Sequence, residues 1–167
     1  MATKYEEMCN AVVTSQRNID QYRDHCWNYL ATLYNGFVMY SGVPQENITF
    51  LKWNGSDDDL SQFSQPENGE QYTLQGAAVL GEDGFWRLGV RIFLKPMATV
   101  WFAFFVAEQN GHPVVKIGDK TFNPDLQNAD SRNEVYEEII SRIKDAFSFP
   151  KKVRSKSIGF TVESLQA

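Results

Sequence analysis

Apolar residues recur every three or four positions through the first part of the chain: Tyr5, Met8, Val12, Ile19, Tyr22, Cys26, Leu30, Leu33 and Phe37. Only Ser15 interrupts the series, which predicts an amphipathic helix over about residues 3–35. Thr3 followed by Glu6 supplies a capping box at its start, and Gly36 or the Gly42-Val43-Pro44 run supplies its end. A helix of that length is long for a globular domain, so a break between Ser15 and Asn18 is an alternative. The stripe either lies on the chain's own sheet or forms the seam of a coiled-coil homodimer.

From Tyr72 to Ile117 the pattern changes to short apolar runs split by turn residues. Tyr72–Leu80, Phe85–Leu94, Thr99–Glu108 and His112–Ile117 read as four strands. Gly81–Gly84, Lys95–Ala98 and Asn110-Gly111 join them, and turns this short connect antiparallel neighbours. The sheet is expected over about residues 72–122, with Ile48–Trp53 as a further short strand. Residues 54–71 are polar and rich in turn formers, which predicts a loop tacked down by Leu60 and Phe63. A second helix is expected over about 131–148, capped by Asp130 or Ser131, with Ser131 and Glu134 as its capping box. Val135, Ile139, Ile143 and Phe147 form its apolar stripe, and Pro150 stops it. The tail 151–167 begins basic and then alternates through Ile158, Phe160 and Val162, the pattern of a last strand. The fold class is therefore α+β, one domain over residues 1–167, with an antiparallel meander of four or five strands.

Neither face of this meander shows the clean apolar/polar alternation of a sheet open to water, so both faces should be covered. Pairing through a four-residue Lys95–Ala98 loop sets Ile92 opposite Trp101, Val90 opposite Ala103 and Leu88 opposite Phe105. A two-residue Glu82-Asp83 loop sets Val79 opposite Trp86 and Ala77 opposite Leu88. One face then carries Trp86, Leu88, Val90, Ile92, Trp101 and Phe105, the main core. The other carries Gly76 facing Gly89, with Arg87 and Arg91 flanking them and Phe102 and Phe104 alongside. A bulged Glu82-Asp83 turn would slip the first strand by one residue and exchange its faces. Glycines inside strands mark close approach by a ring, a backbone or a ligand. These six residues are the candidate site: a groove in which two arginines hold a small anion, or a face packed shut with the arginines paired to Glu134, Glu137 or Glu138.

The 167 residues carry 16 basic and 21 acidic side chains, a net charge of −5. That balance gives no general attraction to nucleic-acid backbones, and the short basic cluster of Lys151, Lys152, Arg154 and Lys156 lacks interleaved aromatics. No apolar run is long enough to span a bilayer, and the start of the chain has no leader pattern, so a cytoplasmic protein is expected. Cys9 and Cys26, 17 residues apart on one helix, would be about 25 Å apart, beyond disulfide reach. Asp57-Asp58-Asp59 lacks calcium-loop spacing. His25 and Cys26 point about 100° apart, and His112 sits at a hairpin tip, so no metal site or cofactor is implied. Were the chain an enzyme, Cys9, Cys26, His25 and His112 would be the first residues to test.

With no assembled catalytic set, the leading expectation is a non-enzymatic protein that binds another protein, in its simplest form as a homodimer. The order of helix, acidic meander and helix resembles small chaperone-like and immunity-like accessory proteins in shape and charge. The alternative is a sensing domain for a small anionic ligand, with its pocket on the Gly76/Gly89 face.

Overall fold

The structure is a computed structural model that describes residues 1–55, 63–66, 69–95 and 98–147, together with the backbone of 160–164. Leu60, the three aspartates at 57–59 and the basic cluster at 151–156 lie outside the described residues.

Helix α1 runs unbroken over Lys4–Ser41, longer at its C-terminal end than the pattern predicts and with no break near Ser15. The capping box forms: Thr3 Oγ1 accepts the Glu6 N–H at 3.1 Å, and Glu6 accepts the Thr3 N–H at 2.7 Å. Gly36 is passed over, and Gly42 ends the helix at φ 72°, its N–H donating to the Val38 carbonyl. Strand β1 (Ile48–Trp53) follows, then β2 (Phe63–Ser64), a single helical turn α2 (Leu74–Ala77), and β3 (Val79–Leu80). The long strands β4 (Trp86–Leu94) and β5 (Ala98–Gln109) make the centre of the sheet. Strands β6 (His112–Ile117) and β7 (Lys120–Phe122) precede helix α3 (Ala129–Ala146), and β8 (Phe160–Ser164) comes last. The expected last strand is thus present. Helix α3 begins earlier than predicted, with Asn128 as its cap: Asn128 Oδ1 accepts the Asp130 N–H, while Ser131 Oγ accepts the Asp125 N–H instead.

The sheet is antiparallel in the order β2-β1-β4-β5-β6-β7, with β3 beside β4 and β8 beside β5. Three expectations about it are corrected. First, residues 74–77 form a helical turn rather than a strand. Thr73 Oγ1 accepts the Gly76 N–H, and Leu-Gln-Gly-Ala lacks the β-branched residues that favour a pleat. Strand β1 takes the place beside β4, pairing Leu51 with Gly89. Second, β3 meets β4 as Val79 opposite Arg87, one residue from the tight-turn register, because residues 81–85 all lie between the Leu80–Trp86 pair. Third, the β4–β5 pairing ends at Leu94 opposite Ala98, leaving three residues between them rather than four. Ile92 therefore faces Val100, Val90 faces Phe102 and Leu88 faces Phe104. One residue of loop length exchanges every side chain of β5 between the two faces. Trp86 and Trp101 consequently project to opposite sides.

The face that packs under the helices carries Trp86, Leu88, Val90, Ile92, Val100, Phe102, Phe104, Val106, Val115 and Ile117. Cys26, Leu30, Leu33 and Phe37 of α1 and Val135, Tyr136 and Ile139 of α3 close over it. The Phe37 ring sits edge-on to Phe102 at 5.8 Å and to Phe104 at 6.5 Å. The opposite face has its own buried cluster of Leu51, Phe63, Phe85, Ala103, Phe105, Ala107 and Val114, with Trp53 and Trp101 at its margin. Both faces are covered, and Phe63 is buried as expected.

Candidate functional site

The structure divides the six candidate residues among three places. Phe102 and Phe104 lie in the core under the helices, fully buried. Gly76 lies in the exposed turn α2. Arg87, Gly89 and Arg91 share the opposite face of β4. There, close packing leaves no room at residue 89 for a side chain. A Cβ at 89 would lie 2.6 Å from Cδ1 of Phe63 and 2.7 Å from Cβ of Leu51.

Arg87 is buried, and its charge is met from the turn before its own strand. Its Nη1 and Nη2 each donate to one carboxylate oxygen of Asp83 at 2.9 Å, and Nη1 donates to the Phe85 carbonyl at 2.9 Å. The guanidinium lies 4.3 Å from the Trp53 ring centroid and 5.1 Å from that of Phe105. Gly81 makes room for it, since a Cβ there would fall 2.0 Å from Nη1. The hydrogen bonds from Arg87 hold the Asp83 carboxyl below its usual range. The acids expected to serve Arg87 are engaged elsewhere: Glu138 accepts from Arg142 at 2.8 Å and Glu137 accepts from Tyr40. Arg91, half-buried, lies 5.7 Å from the Trp101 ring.

A polar junction that the sequence pattern does not reveal ties α1 to the end of β5. The Tyr29 hydroxyl donates to Glu108 Oε2 at 2.5 Å, and His25 Nδ1 lies 2.9 Å from the same oxygen. One turn earlier, the Tyr22 hydroxyl donates to the Gly84 carbonyl at 2.5 Å and accepts the Glu108 N–H at 3.3 Å. The spacing of Tyr22, His25, Cys26 and Tyr29 puts all four on neighbouring turns facing Glu108. Burial pushes the Cys26 thiol up to about 11 and the Tyr29 hydroxyl up to about 12, so both stay protonated at neutral pH. A protonated, fully buried thiol is a poor nucleophile. Cys9 lies exposed toward the other end of α1, and His112 is exposed at its hairpin tip. The cysteines and histidines therefore do not converge, and no group of three potential metal ligands occurs among the described residues.

The remaining feature is α1 itself. At about 1.5 Å per residue its 38 residues extend about 57 Å, and only the second half reaches the sheet. Residues 1–18 are all exposed. Tyr5, Met8, Val12 and Ile19 are 71%, 60%, 69% and 52% accessible, although they continue the line of Cys26, Leu30, Leu33 and Phe37. The apolar stripe that packs on the sheet runs on past the sheet's edge into solvent. Comparison of the chain with known protein families, curated proteins and solved structures finds no match in any of the three.

Proposed function

We propose that this protein is a binding module that docks onto another protein through the projecting first half of α1. The observation that carries this is the continuity of the stripe: the same helical face is core from Cys26 to Phe37 and bare from Tyr5 to Ile19. A contiguous apolar surface rimmed by polar residues is the usual mark of a protein or membrane contact. The charges nearby favour protein over an anionic lipid surface. Residues 4–24 carry Glu6, Glu7, Asp20 and Asp24 against Lys4, Arg17 and Arg23, without the basic polar face of interfacial helices. No helix among the described residues is long and apolar enough to cross a membrane. Self-association through the stripe is the simplest form, since one self-complementary patch suffices for a two-fold dimer.

Co-purification from the native host with mass spectrometry, run in parallel on wild type and a Val12→Lys/Ile19→Lys variant, tests the proposal. A partner retained by wild type and lost by the variant is expected, with light scattering on the purified proteins reporting a homodimer. Monomeric wild type together with an identical set of co-purifying proteins for both versions would overturn it. The enclosure of Arg87 by Asp83, Trp53 and Phe105 favours this reading over the anion-pocket alternative.

A further inference from the structure

Away from the α1 stripe, the β5–β6 hairpin and the segment 123–127 face each other across an open groove of about 660 Å³, with Tyr29 of α1 as its third wall. That volume lies within the range of small-molecule sites, ~300–1,000 Å³. Each wall is held from behind. The Tyr29 ring is fixed by its hydroxyl's bond to Glu108. The hairpin closes through Gln109 opposite His112, with Asn110 and Gly111 at φ 54° and 77°, the left-handed pair that a tight two-residue turn requires. In the third wall Ser131 Oγ accepts the Asp125 N–H at 2.8 Å, Arg132 donates to the Leu126 carbonyl at 2.6 Å, and Asp125 Oδ1 accepts the Gln127 N–H at 3.0 Å.

None of these braces uses the side-chain amides of Gln109, Asn123 and Gln127 or the His112 ring. Those groups make no hydrogen bond to another described residue. No lysine or arginine lines the groove. We propose that it binds a neutral, hydroxyl-rich ligand, a short saccharide. Each carboxamide offers donors and an acceptor side by side, matching vicinal hydroxyls that both give and take a proton. The Tyr29 ring and Pro113 provide an apolar wall for the C–H face of a sugar ring. A phosphate or carboxylate ligand would meet the Asp125 carboxylate with no lysine or arginine lining the groove to offset it. A purely apolar ligand would strip water from the amides and return no hydrogen bond. Rigid walls lower the ordering cost of binding, which suits a ligand recognised by hydrogen bonds alone.

The test is a titration of the isotope-labelled full chain, followed by NMR, with maltotriose, xylotriose and the N-acetylglucosamine trimer. Saturable shifts of the Gln109, Asn123 and Gln127 side-chain amides with at least one of these are expected. Tyr29→Ala should weaken that binding about tenfold, the equivalent of ~1.4 kcal/mol. Asn123→Ala, a surface change that leaves the fold intact, should weaken it as well, whereas Val12→Lys/Ile19→Lys should leave it unchanged. Absence of saturable shifts with all three sugars would overturn the proposal. So would shifts that survive Asn123→Ala undiminished, or equal binding of a neutral tripeptide.

Discussion

Gly36→Ala tests the packing that aims α1. A Cβ at residue 36 would stand 2.1 Å from the Tyr136 hydroxyl oxygen, 3.0 Å from Cζ and 3.3 Å from Cε2. Tyr136 has little room to retreat: it is 1% exposed, and its ring packs on Phe37 at 5.9 Å and Tyr40 at 5.6 Å. Overpacking of this kind costs about 1–3 kcal/mol, while alanine's helix propensity returns about 1 kcal/mol relative to glycine. A contact of 2.1 Å with a side chain this confined takes the upper part of that range, about 2–3 kcal/mol, so the net expectation is a loss of about 1–2 kcal/mol, read by urea unfolding with tryptophan fluorescence. In a chain of this size each kcal/mol lowers Tm by about 2–4 °C. Tyr136→Phe removes the closest atom, so the double variant should recover about 1 kcal/mol relative to additivity. Gly36→Ala at or above wild-type stability, as for a glycine on an open helix face, would refute the reasoning. Full additivity of the two changes would refute it equally.

Four further outcomes follow from the sheet and from α1. Gly89→Ala, which drives a methyl into Phe63 and Leu51, should cost about 1–3 kcal/mol by the same denaturation assay. Asp83→Ala removes both bonds to the buried Arg87 guanidinium and should cost about 2–3 kcal/mol, with a smaller loss for Arg87→Met, which fills the space and removes the charge together. Cys9 should react with a thiol reagent at once and Cys26 only on unfolding. The Cys26 thiol moves from its ordinary value of 9.0 to about 11, so the native state holds that proton longer than the unfolded chain. Its contribution is complete below pH 9 and is lost as pH rises through about 11, roughly 2–3 kcal/mol in all. Cys26→Ala should flatten the stability curve between pH 9 and 11, and parallel curves would sink that assignment.

The helices are legible in the chain because their apolar period is redundant: a polar Ser15 interrupting a series of nine apolar positions does not change the assignment. The capping box at Thr3 and Glu6 was equally local, and it formed as read. The sheet was harder for a physical reason. A strand's face depends on parity, so a single residue of turn length outweighs all the hydrophobicity along it. For that reason the strand pattern places Phe102 and Phe104 beside Arg87, whereas in the fold they pack against Phe37. Both faces are covered in either register, because β5 is apolar on either parity. The Tyr29–Glu108 contact spans 79 positions and leaves no periodic trace, and Thr73 turned an apparently strand-like run into a helix with one side-chain bond. The overhang of α1 was nonetheless readable in principle. A twelve-residue strand such as β5 reaches about 40 Å, whereas 38 helical residues reach about 57 Å, so a helix of this length outruns the strands it packs on.

That mismatch of lengths gives the projecting helix a property that a fully docked one would lack. Isolated helices of about 12–15 residues are marginal in water, chiefly because the first turn is costly to nucleate. Here the docked half supplies the nucleus, so the first half extends a helix that already exists, and its own capping box secures the far end. Nothing else in the described chain covers it, and Val12, Val13 and Thr14 are weak helix formers. Backbone amides from residue 7 to residue 19 should therefore exchange with solvent far faster than those from Cys26 to Phe37 in dilute monomer. Covering the stripe should slow them, because opening would then expose Tyr5, Met8, Val12 and Ile19 as well as break backbone bonds. Hydrogen exchange measured at rising protein concentration should show protection growing in the first half alone, and Val12→Lys/Ile19→Lys should abolish the growth. Protection that is uniform along α1 at every concentration would mean that the first half is stable by itself, and the bare stripe would lose its claim to be half of an interface.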